Sequence, residues 1–393
     1  MVQKDKADRR HDLDGLRALA VLLLVPFHTA LMFSLDPNDI VYVKNNLESP
    51  LLKQLAYFVH QWHMPLLFTI AGASAWYGLQ SRSAWQYLRK RLLRLAVPLV
   101  FGVTVLVPVL VYCHLVTGPG CDSYRSVYQR FFRIDPSNLS GRSGTFTPAH
   151  LWFILFLLVY TFAALPLFAY LNRRNGRRSA AQLTAFIERR GAIFLLAVPL
   201  AAAAAAPDLG GKPPLLYFAY YVLGYILTRD DRFQRVLERH ALSGLLCGVI
   251  ARIVTVAVGR PFAPYSLGDV VMHCVYHFGA WCWVIAILGF GSRYLNRASG
   301  PLRYANRASY PFYILHLPVN TVVGYFILQW DAGITVKYLA IAAATLLATI
   351  GVYDVFVKRT AITRFLFGMK VWARKAPRGH ETASREPSAS EKP

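Results

Sequence analysis

The stretch from Leu13 to Ser34, LDGLRALAVLLLVPFHTALMFS, constrains the chain most. It is long and apolar enough to cross a bilayer. It also carries two side chains that a bilayer accommodates only at a cost, Arg17 and His28. Their spacing is close to three whole helical turns, so both lie on one face, about 16 Å apart along the axis. Ionisable groups on one stripe of a membrane helix face protein or water and mark a functional path. His is also the side chain suited to proton transfer near neutral pH. The plainer reading is a snorkelling Arg at the helix end and a His satisfied inside a bundle.

The rest of the chain repeats the pattern of long apolar blocks. With 55% hydrophobic and only 16% charged residues, the composition is that of a polytopic membrane protein. The expected fold is all-α, a helical bundle of about ten transmembrane spans: 13–34, 54–80, 92–116, 149–171, 191–206, 214–228, 241–258, 270–290, 308–329 and 335–357. The fifth and sixth are short. The expected organisation is a cytoplasmic tail (1–12), a membrane domain (13–357) and a basic cytoplasmic tail (358–393) whose Ser/Glu/Pro-rich end is expected to be disordered. The first block lacks a small-residue cleavage site and reads as a true span rather than a signal peptide.

The net charge of +23 invites a nucleic-acid reading, but the cations sit in the gaps between apolar blocks. One set of alternate loops holds roughly four times as many Lys and Arg as the other, which places both termini in the cytoplasm. The long loop 117–148, with four Arg on the other side, is the discordant one. The cysteines Cys113, Cys121, Cys247, Cys274 and Cys282 show no CxxC spacing, against a zinc or redox motif. Cys113 and Cys121 fall near one external loop, where they could pair.

This orientation puts Arg17 near the cytoplasmic surface, within reach of Asp14 three residues earlier. His28 then lies at or beyond the midplane, with His316 at similar depth in the ninth span. The segment HQWHMP puts His60 and His63 on one face at the outer start of the second span; His114, His150, His273 and His277 also lie outside. These read as interfacial histidines or as the wall of a polar cavity open to the outside. His273 and His277 have metal-ligand spacing but no acidic third ligand nearby, so no metal is expected. Arg89, Lys90, Arg91 and Arg94 straddle the start of the third span on the side of Arg17. Together they could hold a polyanion such as a nucleotide phosphate, with Arg303 and Arg307 adding to it. No GxxxxGK[ST] loop and no GxSxG elbow occurs, which disfavours an ATP-driven pump and a serine hydrolase.

Five segments in order give a family resemblance. LDGLRALAVLLLVPFH resembles the opening of the acyltransferase-3 family of membrane acyl-CoA-dependent O-acyltransferases, with its Arg, ten intervening residues and His. HMPLLFTIAGASAWYGL resembles the family's second span, YLRKRLLRLAVP its basic approach to the third, HLWFILFLLVY its His-x-Trp-Phe segment, and SYPFYILHLPV its Ser-Tyr-x-x-Tyr-x-x-His segment. The run from His60 to Leu79 looks most like the branch of periplasmic glucan succinylation. The chain departs from the family in Ala71-Gly72, where Ser-Gly is common, and no fused C-terminal esterase-like domain, as some members carry, is expected.

The resemblance implies a multi-pass protein of a bacterial inner membrane. Acyl-CoA serves as donor co-substrate, with no bound cofactor, and its phosphates rest on Arg17, Arg89, Arg91 and Arg94. His28 acts with Arg17 as the catalytic pair, as general base or transient acyl carrier. A carbohydrate or glycolipid hydroxyl is the acceptor; the acyl group is acetyl or succinyl. Acceptor access runs past His60, His63, His150 and Trp152, with Tyr310, Tyr313 and His316 completing the substrate site. Membrane lipids are the other partner and nucleic acid is not one. A proton-coupled transporter or flippase using His28 and His316 as a relay explains the buried ionisable groups as well, but leaves the clustered cations without a role and shows no inverted repeat.

Overall fold

The computed structural model describes residues 10–36, 41–117, 123–135, 139–259, 261–297 and 299–370. The far ends of both predicted tails, and the pairing considered for Cys113 with Cys121, lie outside these residues. Among the described residues every regular element is a helix and no strand occurs. In chain order these are α1 (His11–Leu22), α2 (Leu24–Leu31), α3 (Pro50–Gln80), α4 (Ala84–Phe101), α5 (Val107–Val116), α6 (Tyr124–Phe131), α7 (Trp152–Ala163) and α8 (Leu165–Leu171). There follow α9 (Arg174–Ile187), α10 (Ala197–Ala204), α11 (Pro214–Leu227), α12 (Asp231–Val258), α13 (Leu267–Tyr294), α14 (Gly300–Ile327), α15 (Ile334–Val352) and α16 (Ala361–Leu366).

Five continuous helical stretches are long and apolar enough to cross a membrane: His11–Leu31, Ala84–Val116, Asp231–Val258, Leu267–Tyr294 and Ile334–Val357. A sixth is the pair α7 and α8, bent by 46°. The sequence reading expects ten. The shortfall has two causes. The predicted fifth and sixth spans appear as short apolar helices, Ala192–Ala204 and Pro214–Leu227. The helices α3 and α14 have ample length, 31 and 28 residues, but carry polar side chains in their middles: Gln61 and His63 in α3, His316 and Asn320 in α14. Two of these polar side chains, His63 and His316, are candidate site residues.

The outward faces of the apolar helices fit a lipid surround. On α12, Leu242, Leu246, Ile250 and Ile253 are all more than half exposed. An exposed apolar stripe of that size belongs to a membrane rather than to water.

Local chemistry fixes the helix ends and breaks. The capping box of Ser83 and Gln86 opens α4, and the Ser299 hydroxyl accepts the Leu302 N–H at 3.2 Å to open α14. The break between α1 and α2 at Leu23 lies three residues before Pro26, which lacks the N–H a continuous helix needs. A π-helical turn, Gly102–Leu106, joins α4 to α5 just before Pro108.

Two glycines bring α3 and α11 into backbone contact. A Cβ on Gly72 would collide with the Tyr221 carbonyl oxygen, and one on Gly224 with that of Thr69. Each helix offers its glycine to the other's main chain, as small residues do where membrane helices approach closely. This gives Gly72 a structural reason. At the centre of the bundle, α14 packs against α1, α2, α5 and α15 together.

Candidate active site

The helices α1 and α2 run alongside α14, both starting from the end that carries Arg17. Two contacts join them. Near that end the Arg17 guanidinium donates to the Asn306 side-chain oxygen and, at 2.7 Å, to Asp14. Deeper in, the His28 and His316 rings lie 5.2 Å apart. Asn306 and His316 are ten residues apart on α14, about 15 Å of helix rise, which matches the Arg17-to-His28 offset. The stripe read from the sequence therefore faces a second stripe of matching pitch.

His316 is fully buried, and His150 is 7% exposed. Their rings meet edge to face at 5.3 Å. The peptide backbone fixes which nitrogen of each carries the proton. Pro318 has no N–H, so the Ile314 carbonyl four residues earlier lacks its helical partner. His150 Nε2 takes that place at 3.0 Å. A carbonyl only accepts, so Nε2 carries the hydrogen and Nδ1 holds the lone pair. His150 Nδ1 is buried with no hydrogen-bond partner. By the same logic His316 Nδ1 donates to the Tyr313 carbonyl at 2.6 Å, and its buried Nε2 holds an unused lone pair. Tyr313 closes the group by donating its hydroxyl to the His150 carbonyl.

The turn that delivers His150 is conformationally unusual. Ala149 has φ of +44°, a value rare for residues other than glycine, and its N–H is held by the Thr147 hydroxyl at 3.0 Å. Backbone strain of this kind concentrates at functional sites.

His28 differs from its two neighbours. It is only partly buried, so of the three imidazoles it is the most open to a reactant. On its other side Phe27 stacks on His60 at 6.1 Å and on His63 at 6.4 Å. His63 is buried and bonded to the Ala20 carbonyl at 2.7 Å, which ties α3 to α1. His60 is exposed. Trp152 packs on Tyr217 at 5.3 Å, and Lys212 reaches over its ring at 5.7 Å. Burial lowers the pKa of the Lys212 ammonium, while Asp208 acts against that shift.

At the opposite end of the stripe several cations lie near one another. Arg91 and Arg94 share one face of α4 by their i, i+3 spacing. Arg94 lies over the Tyr310 ring at 5.8 Å and accepts the Tyr310 hydroxyl on its carbonyl at 3.0 Å. Arg91 donates to the Tyr87 hydroxyl at 3.2 Å. The charges of Arg17 and Arg91 both lie close enough to repel Arg94. Arg89 points away, exposed, two residues and so about 200° round the helix from Arg91. Tyr310 sits with these cations, whereas Tyr313 sits with the histidines. The His273 and His277 rings meet at 4.5 Å with their planes tilted, and His273 bonds the Ala201 carbonyl at 3.0 Å on α10. Among the described residues no group of three His, Cys, Asp or Glu side chains is placed to hold a metal.

Sequence reasoning missed two members. Asn306, the partner of Arg17, pairs across helices and leaves no local signature. Asn320 was within reach, since it stands one turn beyond His316. Its amide donates to Thr29 at 2.8 Å and Thr345 at 3.2 Å, all three fully buried, and so ties α2 and α15 to α14.

With this geometry in view, the comparisons with known proteins are specific. A family model described as an acyltransferase domain matches residues 10–354. Glucans biosynthesis protein C of Escherichia coli strain K12 is 23% identical over 394 residues, covering 93% of this chain and 95% of that protein. The protein of the same name from Shigella dysenteriae serotype 1 matches at 23% with the same coverage. No solved structure matches.

Proposed function

The chain belongs to the acyltransferase-3 family and is an acyl-transferring membrane enzyme, and from that premise we propose that it carries an acyl group from cytoplasmic acyl-CoA to a carbohydrate hydroxyl on the far side of a bacterial inner membrane. The observation that carries this reading is the paired stripe. Cations stand at one end of it, and at the other three imidazoles meet, two of which keep an unused lone pair in the protein interior. The excess of Lys and Arg in alternate loops supports cytoplasmic termini and an Arg17 end that faces the cytoplasm.

Arg17, Arg91 and Arg94 hold the donor phosphates, and the thioester arm follows the stripe inward to His28. The acceptor, a sugar hydroxyl of a glucan or glycolipid, comes from the opposite mouth past His60 and Trp152. His28 takes the hydroxyl proton as the oxygen attacks the thioester carbonyl. The carbon–sulfur bond then breaks, and His28 returns the proton to the departing thiolate to give free CoA. His316, whose Nδ1 hydrogen is committed to Tyr313, has Nε2 available as an acceptor for the proton of a charged His28. Bundle walls keep water from the thioester. The names of the relatives support a glucan-type acceptor; acetyl and succinyl are the acyl groups proposed.

Mass spectrometry of cell-envelope glycans and lipids, with and without the protein, tests this reading. A glycan mass increment of 42 or 100 Da, about that of one acetyl or succinyl group, is expected only when the protein is present. Movement of an unmodified solute with no new covalent product would instead favour a transporter.

A further inference from the structure

We propose a second phosphate-binding point at the basic end, centred on Arg229 with Arg177 beside it, that takes a phosphomonoester of the nucleotide donor. It rests on the acyl-CoA reading above.

Arg229 lies just past the end of α11. Its guanidinium stands 4.9 Å over the Trp76 ring and 5.9 Å over the Tyr225 ring. Cation–π contact with two aromatic rings holds the group in place. Its Nη1 is buried and has no hydrogen-bond partner. The nearest acid in sequence is Asp230, which is committed to Arg232 at 2.7 Å; Glu188 also goes to Arg232, at 3.1 Å. Among the described residues no carboxylate forms an ion pair with Arg229.

The charged neighbour is another cation. Arg177 lies near enough for its charge to repel that of Arg229. Its position is set by Gly176, where any Cβ would strike the Tyr170–Leu171 backbone, so α9 lies directly on the end of α8. Two cations, one with a buried unsatisfied donor, make a place suited to an anion.

A buried run of tyrosines links the point to the donor cations. Arg91 bonds the Tyr87 hydroxyl at 3.2 Å, and that hydroxyl lies 3.5 Å from the Tyr221 hydroxyl. One turn further along α11, Tyr225 meets Trp76 at 5.4 Å and is held by Asn172 at 3.1 Å. Acyl-CoA carries phosphate in two places, the bridging diphosphate and a separate phosphomonoester on the ribose. Arg17, Arg91 and Arg94 suit the first, and Arg229 with Arg177 the second. A planar guanidinium fork matches such a group. An anionic lipid headgroup offers similar phosphate chemistry at the same end.

Titration of the purified full-length protein with adenosine 3′,5′-bisphosphate and with adenosine 5′-monophosphate separates these sources. Arg229→Gln is expected to weaken bisphosphate binding about tenfold and leave monophosphate binding unchanged. Arg177→Gln, which keeps the stacked Arg229, is expected to act the same way more weakly and guards against a folding defect in the first variant. Equal loss for both nucleotides, or no loss for either, overturns the assignment. So does native mass spectrometry in phosphatidylglycerol nanodiscs if the variant loses lipid while its nucleotide binding is unchanged. Failure of the wild type to bind either nucleotide would sink the donor reading itself, which the comparison of variants does not.

Discussion

His28 and His316 stand with their rings 5.2 Å apart on neighbouring helices, and the peptide backbone of α14 dictates which nitrogen of His316 is left to face chemistry. His28→Ala is expected to reduce acyl transfer by about 10²–10⁴-fold, the usual range for a lost general base. Membrane insertion and thermal stability should stay close to wild type, because His28 is partly exposed. Turnover per folded molecule is the measurement, and wild-type turnover in the variant would refute the role.

Pro318→Ala gives the Ile314 carbonyl back its helical partner, in competition with His150. The variant is expected to melt no lower than wild type while kcat falls several-fold, as His150 loses its fixed orientation. Unchanged kcat would show that the His150 geometry is incidental.

Donor binding gives the third test. Arg17→Ala, and separately the double change Arg91→Ala with Arg94→Ala, is expected to raise the donor Kd by about tenfold or more. Arg89→Ala, on the opposite face of α4, should leave it alone. A titration in which Arg89 matters as much as Arg17 would reduce the cluster to a topology signal.

Thr29→Val and Thr29→Ser differ by one hydroxyl at nearly constant shape. Valine removes the group that accepts the Asn320 amide and should destabilise the fold by about 1–2 kcal/mol, lowering kcat as α2 loosens against α14. Serine should restore both. Equal behaviour of the two variants would rule out the hydrogen bond.

The fifth test is steric. Gly72→Leu or Gly224→Leu puts a branched side chain into a backbone contact between α3 and α11. Neither variant is expected to yield folded protein in detergent, read by size-exclusion profile and melting temperature.

What the sequence could disclose follows the range of the interactions. Arg17 and His28 were legible as a pair because one continuous helix period relates them, and Arg91 with Arg94 for the same reason. Arg89 is their neighbour in sequence, but the same helical period turns it away. The meeting of His28, His150 and His316 joins three distant segments and has no local period. Pro318 announced a freed carbonyl at Ile314 but not which donor would claim it. The polar side chains in the middles of α3 and α14 lower the hydropathy of these two helices, and those side chains include candidate site residues such as His63 and His316.

The paired stripe of α1–α2 against α14 acts as a ruler. Arg17 meets Asn306 and His28 meets His316 across the same pair of helical segments, so on the proposed donor path the gap between phosphate grip and reaction centre would be set by helix rise, at about 15 Å. A carrier with a shorter arm would satisfy one rung or the other but not both at once. On that path the donor would be selected by length before any acyl group is inspected.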